Sequence, residues 1–234
     1  MKILFIGNSY TYFNDLPALF EALARENGKE ASVFSVTKGG WKLHQYLDVE
    51  NEYSEKLRSL LTSEHFDVAF LQEQSVLPVI DFDAFESGVT RLTECLKSHV
   101  DRIILYETWG RKEGSQKLIE QNWTRSGMTD ALSAAYHRVG DALGHKVSPV
   151  GEAFLALNTE NPDIELFNPD RTHPSYTGSC LAAVVHYKTL FGEKPEHLES
   201  LSLSSDVLEA VKADRKSTRL NSSHILISRM PSSA

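Results

Sequence analysis

Cysteine is scarce in this chain: two residues in 234, Cys95 and Cys180, far apart in sequence. So thin a supply excludes a disulfide scaffold and a cysteine-based metal site. Both positions fall in helical patterns, so two buried thiols are expected. Blocks of like charge are also missing, and the net charge is -8. That balance argues against nucleic acid and anionic membranes as partners. No apolar run is long enough to span a bilayer. The N-terminus enters a strand-like run at once, without a basic region, apolar segment and cleavage site, so a cytoplasmic location is expected. H-E-x-x-H, C-x-x-C, G-x-G-x-x-G and the Walker A loop are all absent, so neither a metal nor another cofactor is expected. The G-x-S-x-G elbow of one large esterase fold is absent too.

What is present is the composition of a soluble globule, 41% hydrophobic and 24% charged, in a chain long enough to bury a sizeable core. Short apolar runs of strand type occupy Lys2–Ile6, Ala31–Val36, Asp67–Leu71, Arg102–Tyr106 and Lys146–Val150. Between them lie helical patterns at Leu16–Glu26, Leu43–Ser63 (with a break expected near Asn51), Phe82–His99 and Met128–Leu143. A brief helix at Gly151–Leu157 and a strong one at Tyr176–Phe191 follow. This alternation predicts an α/β fold with a five-stranded parallel sheet and helices on both faces. The polar loop from Gly110 to Gly127 is long enough to suggest a functional segment. The domain is expected to span 1–214. The stretch 215–234 contains "STRLNSSH", which resembles the in-frame translation of a sequencing adapter, and is expected to be a non-native, disordered tail.

The first strand stops in Gly7, Asn8 and Ser9. In an open α/β sheet, ligands sit beyond the carboxyl ends of the strands. A serine there, feeding a helix, can project its hydroxyl into the crevice beside backbone N–H groups that favour developing negative charge. The plain alternative is a turn or helix cap. A nucleophilic serine needs a base, and the base needs an orienting carboxylate. "NPDRTHPSYTG", at 168–178, supplies Asp170 and His173 three residues apart in a Pro-flanked loop before a helix.

Four blocks in this order resemble the SGNH/GDSL hydrolases: "FIGNSYT", with Asn where the usual motif has Asp, "TKGGWKL", "LQEQS" in place of G-x-N-D, and "DRTHPS". The resemblance covers about residues 2–192. It implies a flavodoxin-like three-layer α/β/α sandwich and ester hydrolysis through an acyl-serine. Ser9, Asp170 and His173 would then be catalytic. The oxyanion hole would take the N–H groups of Ser9 and Gly40 (Gly39 the alternate) and the side-chain amide of Gln74 (Gln72 the rival).

Glu73, Glu107 and Glu152 each follow a predicted strand. They read either as solvated rim carboxylates or as a mouth that hydrogen-bonds polyols and repels acidic substrates. Trp41 and Trp109 flank strand ends and Trp123 lies in the long loop, so they read either as a stacking platform or as core. Trp41, Glu73 and Trp109 are the candidate substrate-binding residues, and a small polar or carbohydrate ester, with O-acetyl esters among the options, is the candidate substrate. Two other functions compete: a module that cradles phosphate at Gly7–Thr11, and a catalytically dead sugar or lipid binder. The phosphate cradle has no use for Asp-x-x-His near the end of the domain.

Overall fold

The computed structural model describes residues 1–212, so the stretch 215–234 lies outside the described residues. In chain order the strands are β1 (Lys2–Gly7), β2 (Ser32–Thr37), β3 (Val68–Leu71), β4 (Ile103–Tyr106) and β5 (Lys146–Ser148). The helices are α1 (Ser9–Tyr12), α2 (Leu16–Glu26), α3 (Gln45–Asp48), α4 (Glu52–Ser63), α5 (Leu77–Ile80), α6 (Phe82–Leu96), α7 (Gln116–Gln121), α8 (Arg125–Leu143), α9 (Val150–Glu160), α10 (Tyr176–Phe191) and α11 (Ser205–Lys212). The strands form one sheet in the order β2-β1-β3-β4-β5. Every neighbouring pair is parallel.

The period of two along β1 builds both layers of the core. Ile3 and Phe5 pack into one cluster with Phe20 of α2, Phe154 of α9 and Leu181 of α10. Leu4 and Ile6 pack into the other with Leu57 of α4, Phe85 of α6 and Leu132 of α8. Strands covered on both sides need apolar residues at every position, which is why β3 reads VAFL and is wholly buried. Each such Val, Leu, Ile or Phe stabilises the fold by about 1.5–3 kcal/mol relative to an exposed position. Parallel strands require long crossovers, and the helices provide them. The observed architecture is the expected three-layer α/β/α sandwich.

Local signals explain the element ends. Asn51 breaks the 43–63 pattern by capping α4: its side chain accepts from Tyr53 and Ser54 N–H, and Ser54 Oγ answers the Asn51 N–H. Pro149 stops β5 short of the expected Val150 and opens α9. The loop expected over 110–127 contains α7 and the first turn of α8, which starts at Arg125 rather than Met128 because Thr124 caps it on Gly127 N–H. The thiols differ: Cys180 is buried but Cys95 is exposed, correcting the expectation of two buried thiols. On α6 the buried stripe runs through Phe85, Val89, Leu92 and Leu96, and Cys95 sits one residue off it, about 100° round the helix.

Strand order reverses between β1 and β3, each running outward from the first crossover. The crevice beyond their carboxyl ends is where an open α/β sheet places ligands. Among the described residues no helix is long and apolar enough to cross a membrane.

Candidate active site

Gly7 closes β1 where the chain passes Gln72 at the end of β3. A Cβ on Gly7 would lie 2.5 Å from Thr11 Oγ1 and 2.7 Å from Gln72 Oε1, so the close approach requires glycine. Asn8 follows as the cap of α1, its Oδ1 accepting from Tyr10 N–H at 3.2 Å. Its Nδ2 donates to the Trp41 carbonyl at 2.8 Å. An aspartate could cap the helix but could not donate that second bond, which ties the first loop to the 39–41 turn. The turn puts Ser9 at the cavity wall, 9% exposed.

The other half of the site is the 168–175 loop. It closes like a small hairpin, with Asn168 N–H on the His173 carbonyl at 2.8 Å and Ser175 N–H on the Leu166 carbonyl at 2.9 Å. Arg171 takes a left-handed conformation (φ 61°) at its tip. Asp170 divides its oxygens. Oδ1 accepts from the N–H groups of Thr172 and His173 at 2.9 and 3.0 Å. Oδ2 lies 2.5 Å from His173 Nδ1. Partial burial raises the Asp170 pKa, but the bonds from the His173 ring and from those N–H groups outweigh it, leaving the carboxyl below its usual range. With Nδ1–H donating to the carboxylate, Nε2 is the acceptor, and it lies 2.9 Å from Ser9 Oγ. Ser9 and His173, 164 residues apart in sequence, thus form one hydrogen-bonded chain with Asp170.

Aromatic packing holds the imidazole. Phe13 stacks on it at 4.2 Å and 9°, and Tyr10 meets it edge-on at 5.7 Å. Asn14, at φ 54°, reaches the Pro174 and Ser175 carbonyls and Ser179 Oγ. Sequence reasoning missed Phe13 and Asn14. The signal available was "FND", a turn-prone Asn-Asp pair between two helices.

The lining of the cavity, about 460 Å³, includes Ser9, Gly39, Gly40, Gln74 and His173. Gly40 has φ 73°, which favours glycine, whereas a Cβ on Gly39 would press on Tyr12 Oη at 3.0 Å. The two glutamines separate clearly. Gln72 is buried, with Oε1 accepting from Asn8 N–H and Thr11 Oγ1 and Nε2 bound to the Glu73 carbonyl. Gln74 lines the cavity, and its Oε1 accepts from Val76 and Leu77 N–H at the start of α5, so its Nε2 is not consumed by those bonds.

The expected acidic, tryptophan-lined mouth is not there. Glu73 is fully buried, its carboxylate accepting from Leu43 and Gln74 N–H. Burial pushes its pKa up to about 7. Glu107 is also fully buried; its Oε1 accepts from Glu152 N–H at the start of α9, and burial raises its pKa well above the usual value. Glu152 is half-buried and takes the Ser133 hydroxyl at 2.5 Å. Glu73 and Glu107 hold a loop and a helix start rather than facing solvent, and Glu152 ties α9 to α8. Glu107, His137 and Glu152 bring one potential ligand atom each within 4.8 Å of one another, apart from the Ser9 cavity.

The tryptophans are corrected likewise. Trp109 is fully buried, stacked between Tyr10 (4.5 Å) and Phe154 (4.3 Å). Its Nε1 donates to the Thr172 carbonyl, so it braces the His173 loop instead of meeting substrate. The Trp41 ring packs on Tyr46 and Tyr53, and only its carbonyl serves the site. Trp123 packs against the α4–α6–α8 core. A phosphate cradle at Gly7–Thr11 is also poorly provided for. The N–H groups of Asn8, Tyr10, Thr11 and Tyr12 donate inside the protein.

The fold is that of the SGNH/GDSL-like hydrolases. Among solved structures, a protein assigned to the SGNH hydrolases from Slackia heliotrinireducens is 28% identical, with a TM-score of 0.72 over 81% of this chain and 98% of its own. A DUF4886 family protein from Bacteroides uniformis superposes with a TM-score of 0.75 at 19% identity, covering 92% of each chain. An acetylxylan esterase from Geobacillus stearothermophilus reaches 0.58 at 17% identity, over 81% of this chain and 93% of its own. No family model matches the chain. No curated protein matches it either.

Proposed function

We propose that this chain is a serine ester hydrolase that acts through an acyl-serine on a small polar or carbohydrate ester, with O-acetyl groups the first candidates. The observation that carries the reading is the continuous hydrogen-bonded chain from Ser9 Oγ through His173 to Asp170. His173 Nε2 takes the hydroxyl proton as Oγ attacks the ester carbonyl, and Asp170 stabilises the imidazolium that forms. The Ser9 and Gly40 N–H groups and the Gln74 amide, all from residues that line the cavity, are the donors for the developing oxyanion. His173 then returns the proton to the leaving alcohol, and water repeats the sequence to release the acid. Acetylated sugars are suggested by the solved structures described as acetylxylan esterases, which share the fold.

The test is turnover of a panel of acetylated sugars and short-chain aryl esters by the intact protein and by Ser9→Ala, with melting measured alongside. Ser9 contributes little to the core, so the variant should keep its melting temperature and lose hydrolysis by about 10⁴-fold or more. Retained turnover would remove Ser9 from the mechanism.

A further inference from the structure

The permanent charge in the cavity wall is a cation. Arg111 lines the cavity together with Ser75, Tyr10 and Thr172. Its Nη2 donates to Ser75 Oγ at 3.2 Å, and its Nε is buried with no hydrogen-bond partner. Among the described residues no carboxylate lies within ion-pair distance of it. The neighbouring basic side chains are engaged elsewhere. Lys112 pairs with Glu165, Arg171 reaches the Glu113 carbonyl, and Lys38 sits over the Tyr53 ring. Asp170 is already shared between His173 and two backbone N–H groups. The Glu73 and Glu107 carboxylates are buried away from the cavity.

A half-buried guanidinium whose close neighbours, the Ser75 and Tyr10 hydroxyls, are both neutral retains directed donors, and the match for its planar fork is a carboxylate. The surroundings strengthen the contrast. The chain as a whole is acidic, at -8, so an isolated cation at the cavity is the feature that distinguishes an anionic ligand from a neutral one. Serine and arginine in one cavity place the reacting carbonyl and a fixed charge within reach of one small molecule.

We infer that Arg111 forms an anion subsite and that the preferred ester carries a carboxylate in its acyl or alcohol part. This rests on the ester-hydrolase reading and narrows its substrate class. It reverses the expectation from the sequence of a mouth that repels acids.

Three probes test it: para-nitrophenyl acetate, which is neutral; mono-para-nitrophenyl succinate, with the carboxylate on the acyl side; and para-acetoxybenzoate, with it on the alcohol side. Arg111→Met should lower kcat/KM on at least one carboxylate probe by about 10- to 100-fold more than on the neutral ester, the scale of a lost charged hydrogen bond. Arg111→Lys should recover part of that difference, because the charge remains while the fork is lost. Which probe responds identifies the side of the ester that carries the anion. Equal losses on all three would overturn the subsite and assign Arg111 to the transition state. No loss on any would leave it a structural residue. Calorimetric titration of succinate and benzoate into Ser9→Ala, with and without Arg111→Met, reads anion binding without turnover. Arg111-dependent binding supports the subsite even if hydrolysis by Ser9 fails, and Arg111-independent binding, or none, contradicts it.

Discussion

The ends of β1 and β3 lie side by side and both leave the sheet in polar residues, yet they serve the site in opposite ways. At β1, Asn8 turns inward as a brace and Ser9 faces the cavity. At β3, two consecutive polar residues, Gln72 and Glu73, are buried, and Gln74 is the first to line the cavity. Gln72 joins the two ends by accepting from Asn8 N–H, and Glu73 joins β3 to the 39–43 segment by accepting from Leu43 N–H. The same residue types are thus structural at one level of the crevice and exposed to the ligand one residue further on. Buried polar groups must be hydrogen-bonded, and here they meet that need by fixing the loops that carry Ser9 and Gly40.

Substitutions on the two sides should separate these roles. The largest effect after Ser9 itself belongs to the partner that orients its base. Asp170→Asn should lower kcat/KM on a short-acyl ester by roughly 10²- to 10³-fold, since an amide can favour the wrong imidazole tautomer. An unchanged rate would detach Asp170 from His173. Next comes the contrast within β3. Gln74→Ala should cost about 10²-fold in kcat, the usual scale for one oxyanion donor. Gln72→Ala should instead show mainly as a lower melting temperature, because it strips the acceptor from Asn8 N–H and Thr11. If Gln72→Ala were the more damaging to kcat with stability intact, the assignment of the two glutamines would be reversed.

The smallest effect is on stability and depends on pH. Burial lifts the Glu73 carboxyl from 4.5 to about 7. The folded protein therefore keeps a proton that the unfolded chain releases. This contribution is fully present below about pH 4.5 and lost as pH rises through about 7, a difference of about 3 kcal/mol. Glu73→Gln cannot ionise, so its unfolding free energy should fall less between about pH 4.5 and 7 than that of the intact protein. Parallel pH curves from urea unfolding would show that Glu73 does not titrate in that window.

Much of this was legible before the fold was known, and the reason is local. Ser9, Asp170 and His173 sit in short turns whose glycine, proline and Asx signals fix where they lie. The strand periods gave the sheet, and Asn51 marked its own helix break. Side-chain direction beyond a strand end was not legible. Whether Glu73 or Gln74 meets solvent depends on the turn taken after Leu71, and whether Trp109 faces substrate depends on Tyr10 and Phe154 closing around it. Those are tertiary facts with no periodic trace. Arg111 belongs with them, since its place beside Ser75 follows from the path of a loop.

The most direct test of the central claim is covalent. A fluorophosphonate probe reacts with a serine that a neighbouring base has activated, and peptide mass spectrometry locates the adduct. A single adduct on Ser9, lost in His173→Ala and strongly reduced in Asp170→Asn, is the predicted result. A folded protein that hydrolyses esters while Ser9 stays unlabelled, or that labels Ser9 equally without His173, would contradict the account.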